Sequence, residues 1–207
     1  MSNESEYDQK FWNEAYESNP EQTIVRDFFL EEESARLSVG TALDLGCGTG
    51  AIALMLASNG WSVTGVDWAP KAIKLANAAT QARGLDAQFF VGDITSWDPP
   101  HLFDLVYSTF ALPEGSGMAK VVKTMSKALK PGGTLIICEW DKKMSKVWGF
   151  DENALPTPEE LVALFRGLEI ETATTRKVEN AFGEDEARGE RANEAYIAFV
   201  RAHKPIS

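Results

Sequence analysis

The residues best suited to chemistry lie in one short stretch, residues 41–50. It is an apolar run that contains an acid, Asp44, and leads into three alternating glycines, Gly46, Gly48 and Gly50. Glycines tolerate positive φ and allow a ligand to approach the backbone closely. The apolar residues that follow predict a helix, whose free N–H groups and dipole favour negative charge. The stretch therefore predicts a strand, a tight turn and a helix N-terminus that could hold a carboxylate or a phosphate.

Two kinds of cofactor fit this turn. Gly46, Gly48 and Ala51 satisfy the relaxed dinucleotide pattern G-x-G-x-x-G/A, which is typical of NAD or FAD sites. An acid two residues before a G-x-G-x-G turn resembles instead the first motif of the class I S-adenosylmethionine methyltransferases. That second pattern uses Asp44 and Gly50, which the dinucleotide pattern does not require. The choice between the two depends on the rest of the chain.

The composition excludes several other classes of protein. The 207 residues, 44% of them apolar, are enough for one domain with a full core. The formal net charge of −11 argues against sequence-independent nucleic-acid binding, which depends on Lys and Arg. Two cysteines and two histidines without clustering predict neither a disulfide framework nor a metal site, and no segment resembles a signal peptide or a membrane span. We therefore expect a cytoplasmic protein with a small-molecule partner and no nucleic acid or membrane partner, and leave the oligomeric state open.

Strands and helices alternate along the central part of the chain. The expected elements are a strand beginning at 41, helix 51–58, strand 61–67, helix 69–83, strand 87–91, strand 102–107, helix 118–129 and strand 134–138. This order predicts an α/β fold with a doubly wound, mostly parallel sheet and right-handed crossovers. Ligands of such sheets bind beyond the carboxyl ends of the strands. Several polar residues fall at or near such ends: Asp44, Asp67, Asp93, Ser108 and Glu139.

Helices and strands are also expected outside this central part. Helices are predicted at 7–17, 21–37 and 158–168, strands at 169–178 and 194–202, and a charged loop at 180–191. Trp12 and Tyr16 are four residues apart and therefore share one face of the first helix. Two interpretations stay open: these aromatic residues pack internally, or they form a lid over the glycine turn.

Four motifs in order carry a resemblance to a known family: Leu43–Gly50, Val66–Pro70, Val91–Ile94 and Leu129–Gly133. From about residue 40 to the C-terminus, the chain resembles the class I S-adenosylmethionine-dependent methyltransferases. With its aromatic N-terminal helices it looks most like small bacterial enzymes of the tellurite-resistance and thiopurine methyltransferase type. The resemblance implies S-adenosylmethionine as cofactor, S-adenosylhomocysteine as product, a C-terminal antiparallel hairpin and an N-terminal helical lid. It also implies one methyltransferase domain, 1–207, in three parts: helices 1–39, a cofactor-binding half 40–140 and a substrate-side half 141–207.

The resemblance also implies roles at the adenosine end of the cofactor. Asp67 would accept hydrogen bonds from both ribose hydroxyls, and Trp68 would stack on adenine. Asp93 would bind the adenine amino group, and the Ile94 N–H would reach a ring nitrogen. The alternatives are a helix cap for Asp67 and surface packing for Trp68.

Further roles are implied around the glycine turn. Asp44 would orient the turn or meet the amino group of the methionine part, and Gly46 would allow close approach. Cys47 is interpreted as a small filler and not as a nucleophile. The complete predicted cofactor-binding set is Trp12, Asp44, Gly46, Cys47, Gly48, Asp67, Trp68, Asp93, Ile94 and Ser108.

Two signatures of other methyltransferase subfamilies are missing from the sequence, and this narrows the expected range of substrates. The loop at 107–113 lacks the Asn/Asp-Pro-Pro-Tyr signature of enzymes that methylate amino groups of nucleobases or glutamine. No carboxylate set resembles that of the magnesium-dependent catechol enzymes, so no metal is expected. The function expected is methyl transfer to a small molecule by in-line displacement at the strand ends. Candidates for a catalytic role are Glu139, Ser108 and Tyr16, with Trp12, Phe110 and Trp140 also expected in the pocket.

Two alternatives to catalysis by methyl transfer are kept. An NAD-dependent oxidoreductase would need a proton donor, for which His101 and Tyr107 are poor candidates. A regulatory protein that binds S-adenosylmethionine without catalysis fits the same motifs, since methyltransferases need no fixed catalytic residue. Glu139 and Asp141 could act as a base, but a solvated or helix-capping role suits them equally well.

Overall fold

The computed structural model describes residues 9–18, 29–149, 151, 154–179 and 194–206. In chain order its elements are α1 (Gln9–Ser18), α2 (Leu30–Ser34), β1 (Thr41–Leu45), α3 (Ala51–Ser58), β2 (Ser62–Asp67), α4 (Pro70–Arg83), β3 (Ala87–Val91), β4 (Phe103–Thr109), α5 (Ser116–Ala128), β5 (Leu129–Trp140), α6 (Lys143–Trp148), α7 (Pro158–Val162), β6 (Glu169–Glu179) and β7 (Glu194–His203).

The strands form one seven-stranded sheet in the order β3-β2-β1-β4-β5-β7-β6. β1 to β5 are parallel to one another, and β7 pairs antiparallel with both β5 and β6. The predicted α/β sheet and its C-terminal antiparallel hairpin are thus confirmed. Because the order reverses beside β1, the carboxyl ends of β1, β2 and β4 open onto a crevice, where ligands of such sheets bind.

Alternating side chains divide the core between the two faces of the sheet. Ala42 packs in a cluster with residues of α3 and α4, whereas Leu43 and Leu45 pack in a second cluster with residues of α5 and α7. Successive residues of a strand point to opposite faces, so a continuous apolar run is what a strand covered on both sides requires. Burial on both faces fixes the register and with it the position of each strand end.

A buried ion cluster joins α2 to the C-terminal hairpin. The Glu33 carboxylate is almost fully buried and accepts hydrogen bonds from Arg176 and Arg201, each at 2.9 Å. Burial acts to raise the pKa of Glu33, but the hydrogen bonds from the two guanidinium groups hold it below its usual range. The Arg176 guanidinium also lies 3.5 Å from the centre of the Phe199 ring. These contacts fix the helix before β1 against the last two strands.

Several predicted boundaries differ from the structure. The helix expected at 158–168 is shorter in the structure, because α7 ends at Val162. Non-helical turns follow as far as Gly167, which has a φ of 68°. β5 is longer than the predicted 134–138, because its pairing with β4 begins at Leu129. Of the helix expected at 21–37, the structure shows α2 only, and residues 21–28 lie outside the described part. The loop expected at 180–191 also lies outside it, and the sequence did not predict α6.

Candidate active site

A cavity of about 680 Å³ opens at the carboxyl ends of the parallel strands. Its wall is contributed by α1, the glycine turn, the loops after β2, β3 and β4, the end of β5 and the segment before α7. The lining residues are Trp12, Tyr16, Asp44, Gly46, Cys47, Gly48, Thr49, Ala51, Ile52, Asp67, Trp68, Gly92, Asp93, Ile94, Thr95, Thr109, Phe110, Ala111, Leu112, Pro113, Glu114, Met118, Glu139, Trp140, Asp151, Ala154, Leu155 and Pro156. The cavity therefore brings together every predicted cofactor-binding residue except Ser108.

The glycine turn is held by backbone hydrogen bonds and leaves no space for side chains. The N–H groups of Gly46 and Cys47 both donate to the Val66 carbonyl, at 2.8 and 3.1 Å. Gly46 has a φ of +86°, and a Cβ there would lie 2.1 Å from the Ala111 Cβ. The close approach at Gly46 is therefore made by the loop after β4, which narrows the cavity above the turn.

Asp67 connects the end of β2 to the glycine turn. Its Oδ2 accepts a hydrogen bond from the Gly48 N–H at 2.9 Å, and its Oδ1 accepts one from the Ala69 N–H at 2.9 Å. Burial raises the pKa of Asp67, although hydrogen bonds from the Ala69, Gly48 and Trp68 N–H groups act to lower it. A carboxylate has about four acceptor positions, so these three donors leave about one for a ligand. Asp67 thus supports the local backbone at the start of α4 and still has acceptor capacity for a ligand hydroxyl.

Asp44 lies at the bottom of the cavity with an unsatisfied oxygen. Its side chain is 2% exposed, and Oδ1 has no hydrogen-bond partner among the described residues. Burial raises the pKa of Asp44 to about 8; the Tyr107 hydroxyl acts against this shift, and the charge of Asp67 adds to it. Such an orphaned buried oxygen is costly unless a ligand satisfies it. A cationic or hydrogen-bond-donating group in the cavity would do so.

The remaining predicted adenosine-binding residues line one side of the cavity. Trp68 exposes 37% of its surface, and its backbone carbonyl accepts a hydrogen bond from Gln9 of α1. The Asp93 carboxylate accepts hydrogen bonds from the Thr95 N–H and hydroxyl, at 2.8 and 2.9 Å. Ile94 follows Asp93 in the lining. The indole and the carboxylate therefore reach the same cavity, as their proposed roles require.

Helix α1 covers the glycine turn. Trp12 and Tyr16 line the cavity, with ring centres 6.1 Å apart, and a Cβ on Gly48 would lie 2.7 Å from the Tyr16 hydroxyl. Burial and the nearby charges of Asp67, Cys47 and Asp44 raise the pKa of Tyr16. The phenol is therefore a hydrogen-bond donor and a poor general base.

Glu139 is buried near the end of β5, where it holds the loop that follows β4. Oε2 accepts a hydrogen bond from the Leu112 N–H at 3.1 Å, and Oε1 accepts one from the Trp140 N–H at 2.9 Å. Burial raises the pKa of Glu139 to about 7, although these backbone hydrogen bonds act to lower it. Phe110 begins the same loop with a φ of +53°, and its ring centre lies 4.4 Å from that of Trp140. Glu139 thus positions this loop and also presents a titratable group to the cavity.

Other candidates lie elsewhere. Ser108 is fully buried, does not line the cavity and donates a hydrogen bond from its hydroxyl to the Leu45 carbonyl at 2.8 Å. The prediction that Ser108 belongs to the site is therefore wrong.

Asp141 is also absent from the lining. Its carboxylate accepts hydrogen bonds from the Lys143 N–H at the start of α6 and from the Thr175 hydroxyl in β6. Cys47 lines the cavity, but burial raises the pKa of its thiol well above the usual range, which suits a filler.

Some cavity residues were not singled out by the sequence. Leu112, Pro113 and Met118 come from the loop after β4 and the start of α5, and Leu155 and Pro156 precede α7. A run of apolar residues between a parallel strand and the next helix, as in 110–113, is the signal that could have indicated the first group. In the part of the chain that the structure describes, no group of His, Cys, Asp and Glu is placed to hold a metal ion. None of the described helices has the length and apolar character needed to cross a membrane.

The donor set fits one cofactor class. An acid that is held at the end of β2 beside a glycine turn, together with an unsatisfied Asp44 oxygen, suits a ligand with a diol and a cationic group. Fold and site together define a class I methyltransferase domain, whose cofactor is S-adenosylmethionine. Residues 42–133 match the family model described as a methyltransferase domain. The chain therefore contains a class I S-adenosylmethionine-dependent methyltransferase domain.

Individual proteins agree with this assignment. The chain is 32% identical over 143 residues to the ubiquinone biosynthesis O-methyltransferase of Idiomarina loihiensis. The aligned region covers 67% of this chain and 58% of the relative. It spans between 33% and 58% of the length of the first three curated relatives that it matches.

Solved structures show the same fold. NodS, an N-methyltransferase from Bradyrhizobium japonicum in complex with S-adenosylhomocysteine, superposes with a TM-score of 0.68 at 21% identity, covering 93% of this chain and 96% of NodS. TehB from Haemophilus influenzae superposes with a TM-score of 0.70 at 21% identity, covering 95% of this chain and 66% of TehB. The TehB structure agrees with the predicted resemblance to tellurite-resistance enzymes at the level of the fold.

Proposed function

We propose that this protein transfers a methyl group from S-adenosylmethionine to a small-molecule acceptor. The observation that carries the proposal is the Asp67 carboxylate, which the Gly48 and Ala69 N–H groups hold at the edge of the cavity beside the glycine turn. The relative from Idiomarina loihiensis is likewise named as an O-methyltransferase, of ubiquinone biosynthesis. When bound, the cofactor supplies an electrophilic methyl group on a sulfonium.

Five of the cavity residues then have cofactor-binding roles. Asp67 accepts hydrogen bonds from the ribose hydroxyls, and Trp68 stacks on the adenine. Asp93 and the Ile94 N–H bind the polar edge of the base. Asp44 accepts a hydrogen bond from the ammonium group of the methionine part, which satisfies its orphaned Oδ1.

Positioning supplies most of the rate in this mechanism. Holding the acceptor atom about 3–3.5 Å from the methyl in a dry pocket avoids most of the entropic cost of the reaction. Trp12, Phe110 and Trp140 exclude water from that pocket. Glu139, whose pKa is about 7, takes a proton from a hydroxyl or ammonium acceptor; an acceptor that is already anionic does not need it.

The two alternatives have less support. His101 lies before β4, at the opposite end of the strand from the cavity, and Tyr107 is fully buried, so neither can serve an oxidoreductase as proton donor. A purely regulatory role leaves the apolar half of the cavity without a use. We also propose the division of the domain at residues 39 and 140, and a cytoplasmic location, which the two free cysteines favour.

Calorimetry with S-adenosylhomocysteine tests the proposal. One binding site per chain is expected, and NADH is the matched control ligand because it also carries an adenosine diol. Mass spectrometry of the purified protein for a co-bound cofactor, followed by thiol, amine and hydroxyl acceptors, then identifies the reaction. Binding of NADH with no binding of S-adenosylhomocysteine would overturn the proposal.

A further inference from the structure

One half of the cavity has no role in cofactor binding. We call this half the acceptor wall and define it as Phe110, Leu112, Pro113, Met118, Trp140 and Leu155. These side chains come from the loop after β4, from α5, from the end of β5 and from the segment before α7, and they line the same cavity as the glycine turn. Their common property is an apolar or aromatic surface, so this half recognises its ligand by burial of apolar area.

The charged residues among the described lining of the cavity all have the same sign. Six acids line it, namely Asp44, Asp67, Asp93, Glu114, Glu139 and Asp151, and no Lys, Arg or His is among the described lining residues. Bound S-adenosylmethionine contributes one net positive charge. Even with Asp44 and Glu139 protonated, Asp67, Asp93 and Glu114 stand against that single charge. The loaded cavity therefore keeps an excess of negative charge, which repels an anion and attracts a cation.

A fixed acid lies beside the acceptor wall, and the wall itself contains an aromatic pair. The Glu139 carboxylate is hydrogen-bonded to the N–H groups of Leu112 and Trp140, so it cannot move away from the wall without breaking both bonds. The Phe110 and Trp140 rings lie 4.4 Å apart at an interplanar angle of 41°. Aromatic faces attract flat apolar groups and cations, and they offer nothing to an anion.

We propose that the acceptor wall takes an aromatic or otherwise apolar acceptor that is uncharged or cationic, and that it excludes carboxylates and inorganic oxyanions. The inference rests on the proposed methyltransferase function. It separates this chain from any enzyme of the same fold whose acceptor is an oxyanion. Selectivity of this kind comes from the cost of placing a negative charge in an acidic, apolar pocket.

Three probes that differ in the charge of one terminal group test the inference: 4-propylphenol, tyramine and 4-hydroxyphenylpropionate. They share a phenol ring and a short para chain that ends in a methyl, an ammonium or a carboxylate group. Binding is measured by calorimetry with the full chain saturated with S-adenosylhomocysteine, at a pH above the Glu139 pKa of about 7. We expect the uncharged and cationic probes to bind at least about tenfold more tightly than the carboxylate.

Variants assign the discrimination to the cavity. Glu139→Gln should reduce the preference against the carboxylate probe by about threefold or more, because it removes the nearest negative charge. Glu159→Gln is the matched control, since Glu159 is exposed on α7 outside the cavity, and it should change nothing. Tighter binding of the carboxylate probe, or binding of none of the three, overturns the inference. Failure of S-adenosylhomocysteine to bind at all would instead overturn the proposed function.

Discussion

The carboxyl groups at the two ends of the parallel strands differ in their partners and in their pKa values. At the amino end, Asp104 accepts hydrogen bonds from the Thr41 N–H and hydroxyl, each at 2.8 Å, and pairs with Lys130 at 2.8 Å. At the carboxyl end, Asp44 and Glu139 are buried without a cation, and their pKa values rise to about 8 and about 7. The amino end is stabilised by its ion pair, whereas the carboxyl end buries carboxyl groups that have no cationic partner among the described residues. This difference identifies the functional end without reference to any relative.

The largest effect is expected for Asp67→Ala at the carboxyl end. Loss of each charge-assisted hydrogen bond to the ribose should cost about 1.5–3 kcal/mol, or about tenfold or more in affinity for S-adenosylhomocysteine. The sheet should stay folded because Asp67 ends β2 and lies outside the apolar clusters. Calorimetry measures the affinity, and circular dichroism checks the fold. Unchanged affinity in a folded variant would remove Asp67 from the site.

The next effect is expected from the helix that covers the carboxyl end. α1 is attached to α4 through hydrogen bonds from Gln9 to the Trp68 carbonyl and from the Lys71 N–H to Asn13, at 2.6 and 3.1 Å. Deleting residues 1–18 should leave the sheet folded, since the core strands begin at Thr41. It should weaken cofactor binding about tenfold and abolish turnover, because water then enters the site.

Hydrogen exchange distinguishes a lid from static packing. Residues 9–18 should exchange more slowly when S-adenosylhomocysteine is bound. Trp12→Ala should reproduce part of the loss in affinity, and Phe11→Ala, on the same helix but outside the cavity, is its control. Equal protection with and without ligand, together with full-strength binding by the truncated chain, would mean that α1 only packs.

A smaller effect with a specific pH dependence is expected for Asp44→Asn. Between the ordinary pKa of 3.8 and the folded value of about 8, the folded chain holds a proton that the unfolded chain releases. Stability therefore falls as pH rises through this window. Asn cannot ionise, so the variant should gain on the order of 1–3 kcal/mol over the native chain at the upper end of the window. Urea unfolding at several pH values measures the difference, and parallel stability curves would contradict the assignment.

The same variant tests the ligand-binding role of Asp44. The cofactor's ammonium group favours the charged carboxylate, so binding near neutral pH should release up to about one proton. Calorimetry in buffers of different ionisation enthalpy counts the protons. Asp44→Asn should remove most of the release, whereas Glu139→Gln separates the contribution of the second raised carboxyl. Release that persists in full in Asp44→Asn would assign the proton to another group.

The sequence was sufficient for the features that follow from strand order. Glycine spacing, alternation of strands and helices, and acids at strand ends placed Asp44 and Asp67 in one crevice, because parallel strands end at the same edge of a sheet. Ser108 shows the limit of this reasoning. Its position near the end of β4 was predicted correctly, but the direction of its side chain depends on the pleat, and its hydroxyl is bound to Leu45 on the neighbouring strand.

Long-range contacts account for the other omissions. Glu33 pairs with Arg176 and Arg201, which are 143 and 168 residues away, and no local pattern indicates such a contact. Asp141 looked like a possible base until the structure placed the Thr175 hydroxyl 2.6 Å from it. The apolar residues before α7 are held near the end of β5 by another long-range contact, in which the Lys142 N–H donates to the Pro156 carbonyl at 3.0 Å. These features depend on tertiary packing, which local periodicity does not encode.

The smallest effect is expected at the amino end, for Asp104→Asn. Burial acts to raise the pKa of Asp104, but hydrogen bonds from Lys130 and Thr41 hold it below its usual value of 3.8. Its stabilisation is therefore fully present above that value and is lost as pH falls through the folded pKa. The Asp104 and Lys130 side chains are 40% and 39% exposed, so solvent screens the pair, and the variant should lose only about 0.5–1 kcal/mol at neutral pH. Affinity for S-adenosylhomocysteine should not change, because Asp104 does not line the cavity. The stability difference from the native chain should shrink as the solution is acidified, whereas the gain in Asp44→Asn should grow as the solution becomes more alkaline.

A double variant should show the sum of the two effects, since the sites lie at opposite ends of β1 and share no partner. A loss of ligand affinity in Asp104→Asn would mean that the two ends are coupled through the strands and do not act independently.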